Sequence, residues 1–182
     1  MKENMITFCT VSFGDEKYIE LNNNITSSLN NDFEIKWVVG ENKPIQKKST
    51  LLHNKNVEIV EGVTGEYIPS YHHTTTLNAC LNKVKTRFVC VIDPDFFVIK
   101  KNWIRSIIEH MIENEIALIG VPWHPKHYSK YRYFPCVHCM IIDLSLINKA
   151  ELDFRPTKKN DLADFNVKKV KKDNKTFFDY IY

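Results

Sequence analysis

Two acids one residue apart, Asp93 and Asp95, close an unbroken apolar run, Phe88-Val-Cys-Val-Ile92, with Pro94 between them. Proline has no N–H for a strand ladder and restrains the residue before it, so the spacing predicts a turn just past a strand. Both carboxylates would then project from one edge. Paired hard oxygen ligands suit Mg2+ or Mn2+, which keeps its remaining coordination sites for water and a substrate's phosphates. Asp93 and Asp95 are therefore the candidate metal ligands, with a plain acidic surface turn as the alternative.

Other residues have matching chemistry. Glu41 follows a β-rich run, and an ionised carboxylate only accepts hydrogen bonds, which suits the imide N–H of uracil or a ribose hydroxyl. His72 and His73 open a helical segment, and neighbours on a helix point about 100° apart. One of them, with His73 the candidate, can face a crevice while the other turns away. Lys126, Lys130 and Arg132 could close on a diphosphate, or be ordinary surface charge. His124, His127, Cys136, His138 and Cys139 are zinc-ligand types, but their spacing matches neither a finger nor a ribbon, and strand alternation would point Cys136 and His138 one way and Cys139 the other. Neither a Gly-x-x-x-x-Gly-Lys-Ser/Thr loop nor a Gly-x-Gly-x-x-Gly turn is present, which argues against the commoner nucleotide-binding α/β types.

The elements that must position these residues alternate. A strand over residues 6–11 ends at Ser12-Phe-Gly-Asp15, and Tyr18, Leu21, Ile25 and Leu29 then recur at helical spacing. A second strand over 33–39 ends at Gly40-Glu41-Asn42, and a third over 57–60 leads to Gly62 and Gly65. Ser70 is placed to cap a helix over 71–84 whose apolar face is Leu77, Cys80, Leu81 and Val84. After the acid-tipped strand, Asn102 is placed to cap a helix carrying Trp103, Ile104, Ile107, Ile108, Met111 and Ile112. A short strand over 116–121 precedes a loop over 122–135 that lacks either period, as binding loops do. A strand over 137–144, antiparallel by expectation, a short helix over 145–150 and a weak helical pattern from Asp161 complete the chain. Strands alternating with helices predict a single α/β domain, a central and mostly parallel sheet with helices on both faces.

Composition limits the function classes. A chain of 182 residues with a formal charge of +3 is one full-cored domain with no electrostatic case for nucleic acid. The lysine-dense stretch from Lys168 to Lys175 reads as a solvated face, with a phosphate or anionic-membrane contact as the minor alternative. No window holds the roughly 18 apolar residues of a membrane span, so a cytoplasmic protein is expected, with membrane contact at most peripheral. An odd set of five cysteines, three of them in apolar segments, predicts buried free thiols.

The order Thr10-Val-Ser12, Val38-Val-Gly-Glu41, His73-Thr-Thr-Thr-Leu-Asn78 and Phe88-Val-Cys-Val-Ile-Asp93-Pro-Asp95 resembles the GT-A-fold glycosyltransferases, in particular the large family 2 of inverting enzymes. The resemblance covers most of residues 5–145. It implies a GT-A-like, Rossmann-like domain with a nucleotide-sugar-binding part at about 5–100 and an acceptor-side part at about 101–182. It also implies Mn2+- or Mg2+-dependent, hexosyltransferase-like transfer with inversion, as in polysaccharide biosynthesis. The donor would be a nucleoside-diphosphate sugar, a UDP-sugar first of all, and the acceptor a carbohydrate or lipid-linked hydroxyl. By the same resemblance Thr10 and Ser12 line the nucleoside pocket, and Glu41 stands where the family has a base-reading aspartate. Asn78 matches the asparagine of the preceding helix, Asp93 binds ribose or the metal's shell, and Asp95 ligates the ion. The nearest counterpart of the family's late catalytic acid is Asp161, with Asp164 second. Gly40-Glu41-Asn42 departs from the usual acidic cluster. A sugar nucleotidyltransferase and a non-catalytic nucleotide-binding module of the same fold are the competing readings.

Overall fold

A strand without polar alternation has to be covered on both faces, and three strands of this chain are. β1 (Met5–Ser12) is buried from Ile6 onward, and β4 (Phe88–Ile92) and β6 (Cys139–Asp143) are buried throughout. The computed structural model describes residues 4–63, 69–122 and 135–155. In these residues β2 (Glu34–Glu41), β3 (Val57–Glu61) and β5 (Leu118–Gly120) complete one six-stranded sheet in the order β3-β2-β1-β4-β6-β5. The first four strands pair in parallel, whereas β6 runs antiparallel to both β4 and β5. The expected mostly parallel α/β sheet, with its late antiparallel strand, is the observed one.

Helices cover both faces. On one side α1 (Glu16–Leu29) and α3 (Trp103–Glu113) enclose Ile6, Phe8, Trp37, Val39, Cys90 and Ile92. There Phe8 stacks on Trp37 with ring centroids 4.8 Å apart and meets Trp103 edge-on at 6.0 Å. On the other side Leu77, Cys80 and Leu81 of α2 (Pro69–Lys83) pack on Cys9, Val11, Val38, Val89 and Met140. Each large apolar side chain so buried contributes about 1.5–3 kcal/mol, so both layers are needed to hold the sheet. All five cysteines are buried free thiols. No helix among the described residues is long and apolar enough to cross a membrane.

Several local expectations are corrected. α1 buries Ile19, Asn22 and Thr26, one residue out of step with the expected stripe, and leaves Tyr18 and Leu21 about half exposed, at 51% and 48%. The shift is tolerable because Asn22 is satisfied: its side-chain N–H donates to the Phe96 carbonyl at 2.9 Å, and its oxygen accepts from the Thr26 hydroxyl at 3.2 Å. Asn102 makes no side-chain cap. It sits at φ 57, a left-handed conformation that asparagine tolerates, and its N–H donates to the Leu29 carbonyl at 2.8 Å. α2 starts at Pro69, so Ser70 lies inside the helix rather than at its cap. In place of a helix over 145–150 there is only a 3-10 turn, Lys149–Glu151.

Past β6 the chain is fastened twice. Asp143, fully buried, takes the Arg87 guanidinium at 2.7–3.2 Å and the Ser145 hydroxyl at 2.7 Å. Burial alone would raise its pKa, but those hydrogen bonds outweigh burial and leave it below the ordinary carboxylate value. Further on, Asn78 of α2 donates to Asp153 at 2.7 Å and accepts from the Phe154 N–H at 3.0 Å. Arg155 in turn pairs with Asp153 at 2.8 Å. Hydrogen bonds from Arg155, against burial, pull the Asp153 pKa from 3.8 down to about 2. A folded pKa below the unfolded one stabilises above the unfolded value and is lost as pH falls through the folded one. Wild type is therefore expected to be more stable than Asp153→Asn above about pH 4 and to lose that advantage towards pH 2, as urea midpoints measured across this range would show.

Candidate functional site

In a parallel sheet the loops after successive strands share one edge, and ligands bind there. Here β1 to β4 end at that edge, and β6, running the other way, begins at it. The site is a set of turns tied to one another across this rim.

The loops after β1 and β2 are joined first. The Asn42 N–H donates to the Ser12 carbonyl at 2.9 Å, continuing the ladder beyond the Ser12–Glu41 pair. Ser12 is fully buried, and its hydroxyl oxygen accepts from the Asp15 N–H at 3.1 Å. Gly14 holds φ +89 with the Lys43 side chain across it: an added Cβ would lie 3.3 Å from Lys43 Cδ and 3.4 Å from Nζ. Glu41 commits one oxygen, accepting from the Ile45 N–H at 3.2 Å. Thr10 is buried as well, and its hydroxyl oxygen has no hydrogen-bond partner among the described residues.

Asn42 then links these loops to α2 and to the end of β3. Its side-chain oxygen accepts from the Thr76 hydroxyl at 2.6 Å and from the Val63 N–H at 3.3 Å. Gly62 lies so close that a Cβ would come within 2.3 Å of that oxygen. Thr76 sits on the turn of α2 that presses on Gly40, and His73 is one turn nearer the helix start. Residues three apart on a helix are neighbours, so α2 spans the loop after β2 and the acid turn.

The acid turn is closed by the Phe96 N–H donating to the Asp93 carbonyl at 3.1 Å, and the Asp93 N–H donates to the His138 carbonyl at 3.0 Å. The Asp93 side chain lies between two imidazoles. His138 Nδ1 hydrogen-bonds Asp93 Oδ2, and His73 Nε2 stands 4.0 Å from Oδ1. A carboxylate accepts, so His138 Nδ1 is the donor. Burial holds the His73 pKa below the ordinary histidine value; Asp93 acts to raise it and His138 to lower it. His73 is thus a neutral polar contact at pH 7. Asp95 points to solvent. Beneath the turn, Asn22 of α1 holds the Phe96 carbonyl.

The structure therefore brings Asp93, Asp95, His73, Glu41 and Ser12 to one rim. It places Thr10 beneath that rim and engages Asn78 with the segment Asp153–Phe154. Asp161, Asp164, His124, His127, Lys126, Lys130, Arg132 and the lysines from Lys168 to Lys175 lie outside the described residues. Three contributors carry no motif signal, Asn22, Asn42 and Lys43, and His138, noticed only as a zinc-ligand type, instead bonds Asp93. Asn42 and Lys43 flank Glu41 in the chain, whereas His138 reaches Asp93 only through the β4–β6 register. Cys136 lies close by; burial, with Asp93 adding to it, pushes its thiol up to about 11, so with no metal bound it is protonated at neutral pH.

The donor set fits a hard divalent ion of the kind that takes one or two carboxylates and completes its shell with water and phosphate. Among the described residues no group of three His, Cys, Asp or Glu side chains could enclose a metal. Asp95, with Asp93 beside it, is the pair available to such an ion.

No family model matches the chain, and no curated protein matches it in sequence. Solved structures do resemble it. TarS 1-349 of S. aureus in complex with UDP-GlcNAc superposes with a TM-score of 0.64 at 17% identity, covering 90% of this chain and 52% of that one. The mannosyltransferase PcManGT from Pyrobaculum calidifontis, in complex with GDP-Man and Mn2+, gives 0.62 at 10% identity over 90% and 51%. An active-site mutant of LgtC gives 0.51 at 15% identity over 78% and 58%. The fold is GT-A-like, that of glycosyltransferases. The chain spans about half the length of the first two of these structures.

The seat of α2 is testable. A Cβ at Gly40 would stand 2.2 Å from Thr76 Cγ2 and 2.9 Å from Cys80 Sγ. Gly40→Ala is expected to cost about 1–3 kcal/mol in urea unfolding, the usual toll of overpacking. Adding Thr76→Ser, which removes the methyl and keeps the hydroxyl on Asn42, should recover part of the loss; strict additivity of the two changes would contradict the contact.

Proposed function

We propose that this chain is a nucleotide-sugar-dependent glycosyltransferase that transfers hexose from a nucleoside diphosphate to an acceptor hydroxyl with inversion. The observation that carries the reading is the Asp93-Pro-Asp95 turn on the rim shared with Ser12, Glu41 and His73. Support comes from the GT-A-like fold and from neighbours of that fold held with UDP-GlcNAc or GDP-Man.

Each residue's role follows from its chemistry. Glu41 keeps one oxygen uncommitted, an acceptor for a base imide N–H, and the loop from Ser12 to Asp15 forms the wall beside it. His73, neutral, offers a hydrogen bond to the donor without adding charge. Asp95, aided by Asp93, would hold Mn2+ or Mg2+ together with the donor's phosphates; such an ion, when bound, neutralises charge on the leaving diphosphate. The acceptor oxygen forms its bond to the anomeric carbon from the face opposite the phosphate, the carbon–phosphate-oxygen bond breaks, and the hydroxyl proton passes to a carboxylate. Asp161 is the proposed base, with Asp164 the alternative. Arg155, shortly before it in the chain, lies beside Tyr71 at the start of α2, on this same rim.

Two outcomes are expected. Asp95→Ala should leave the nucleotide-free protein folded and abolish the Mn2+-dependent rise in melting temperature given by UDP. At about a hundred times Kd that stabilisation is about 2.7 kcal/mol in wild type, and its survival in the variant would exclude Asp95 as the metal carboxylate. Asp161→Asn should keep UDP protection and lose about 10²–10⁴-fold in transfer, the usual span for a general base. Retained turnover would shift the assignment to Asp164. Release of free sugar from a nucleotide-sugar with Mn2+ and no acceptor separates an enzyme from a binding module of the same fold.

A further inference from the structure

The residue that secures the acid turn comes from the turn that leads into β6, outside the four parallel strands. Ile92 pairs with Cys139 as the last rung of the β4–β6 ladder, and the Asp93 N–H to His138 carbonyl bond extends that ladder by one step at 3.0 Å. His138 therefore meets Asp93 twice, through its carbonyl and through Nδ1 on Oδ2. The imidazole is 59% exposed and makes little core contact, whereas the Asp93 side chain is only 20% exposed. A ring that packs so little contributes mainly through the hydrogen bond it donates.

We propose that His138 is a positioning residue for donor binding: by occupying Oδ2 it fixes the rotamer of Asp93, so that a single oxygen, Oδ1, faces the cleft beside His73. This rests on the donor-binding reading above and adds to it a division of labour within the acid pair. A carboxylate free to spin would offer either oxygen, singly or together, and would lose that freedom on binding the donor. Held from behind, Asp93 presents one acceptor suited to a ribose hydroxyl or a water, and leaves the direct ion contact to the exposed Asp95. Outer partners of this kind typically change affinity or activity by about 10–100-fold when removed.

The test uses the full chain and measures binding of UDP, and separately GDP, with Mn2+. His138→Ala is expected to weaken whichever nucleotide wild type prefers by about tenfold or more, while the melting temperature without nucleotide stays within about 2 °C, as befits an exposed ring. His138→Asn places an amide N–H the same number of bonds from Cβ as Nδ1 and should restore affinity to within about threefold. His138→Gln places its N–H one bond farther out and should behave like alanine. Unchanged affinity in the alanine variant, or equal rescue by asparagine and glutamine, would overturn the positioning role and leave the donor-binding reading intact. Failure of wild type to bind either nucleotide would remove that reading, and this role with it. If the alanine variant loses fold stability without a nucleotide-specific loss in affinity, His138 is only a structural tie and the inference fails.

Discussion

Strand β4 has neighbours of opposite direction: β1 runs with it, β6 against it. That reversal is the constraint on which the site depends. Four parallel strands alone would bring the loops after β1, β2 and β4 to one edge, but nothing would cross the end of β4. Because β6 starts where β4 stops, the turn Asp93–Phe96 is met head-on by Cys136–His138, and the carboxylate is gripped from outside the four parallel strands. The Arg87–Asp143 pair does the corresponding job at the other end of the same two strands, since Asp143 faces Phe88 in the register. With both ends pinned, a slip of one residue would have to break a half-buried ion pair as well as turn every side chain of β6 to the wrong face.

The second support is α2, which touches both halves of the rim from one rigid element. Thr76 reaches Asn42 and presses on Gly40, His73 reaches Asp93, and Asn78 holds the segment that follows β6. A helix is stiff over this distance, so the spacing between the loop after β2 and the acid turn is set by the helical repeat rather than by loop conformation. The closeness of Gly40 to Thr76 and Cys80 makes that setting exact in register, because the helix has no room to slide across the strand.

Much of this architecture is legible in the chain, and the exceptions have physical causes. The apolar run at Phe88–Ile92 identifies a covered strand, the β-rich run at Ile6–Val11 a first strand, and the strand–helix alternation leads to the sheet class. The apolar face of α2 follows directly from the period of Leu77, Cys80, Leu81 and Val84. The stripe of α1 does not, because the helix buries Asn22 and Thr26 and exposes Tyr18 and Leu21. Hydropathy cannot anticipate a polar residue whose partner, the Phe96 carbonyl, is distant in sequence. Asn102 looks like a cap by type, yet its backbone adopts the left-handed region, a choice the side-chain alphabet permits without announcing it. His138 stands out in the chain only as a zinc-ligand type; its bond to Asp93 depends on the pairing register of an antiparallel strand, and spacing along the chain contains no term for it.

What distinguishes this rim from an ordinary set of surface loops is how its polar groups are spent. The Ser12 hydroxyl answers Asp15, one Glu41 oxygen answers Ile45, the Asn42 oxygen answers Thr76 and Val63, and one Asp93 oxygen answers His138. Ser12, Glu41 and Asp93 have each used one acceptor position to fix a neighbouring turn, and the Asn42 oxygen has used two. Glu41 and Asp93 each retain a second oxygen. A ligand entering such a site meets acceptors whose directions are already set, and the ordering entropy that flexible loops would lose on binding has been lost at folding instead. The exposed carboxylate in the constellation is Asp95, whose proposed partner is an ion that arrives with its own water shell and must exchange part of it. Fixed acceptors for the organic part of a ligand and a free carboxylate for a hydrated ion are different physical requirements, and the single proline between Asp93 and Asp95 lets one turn meet both.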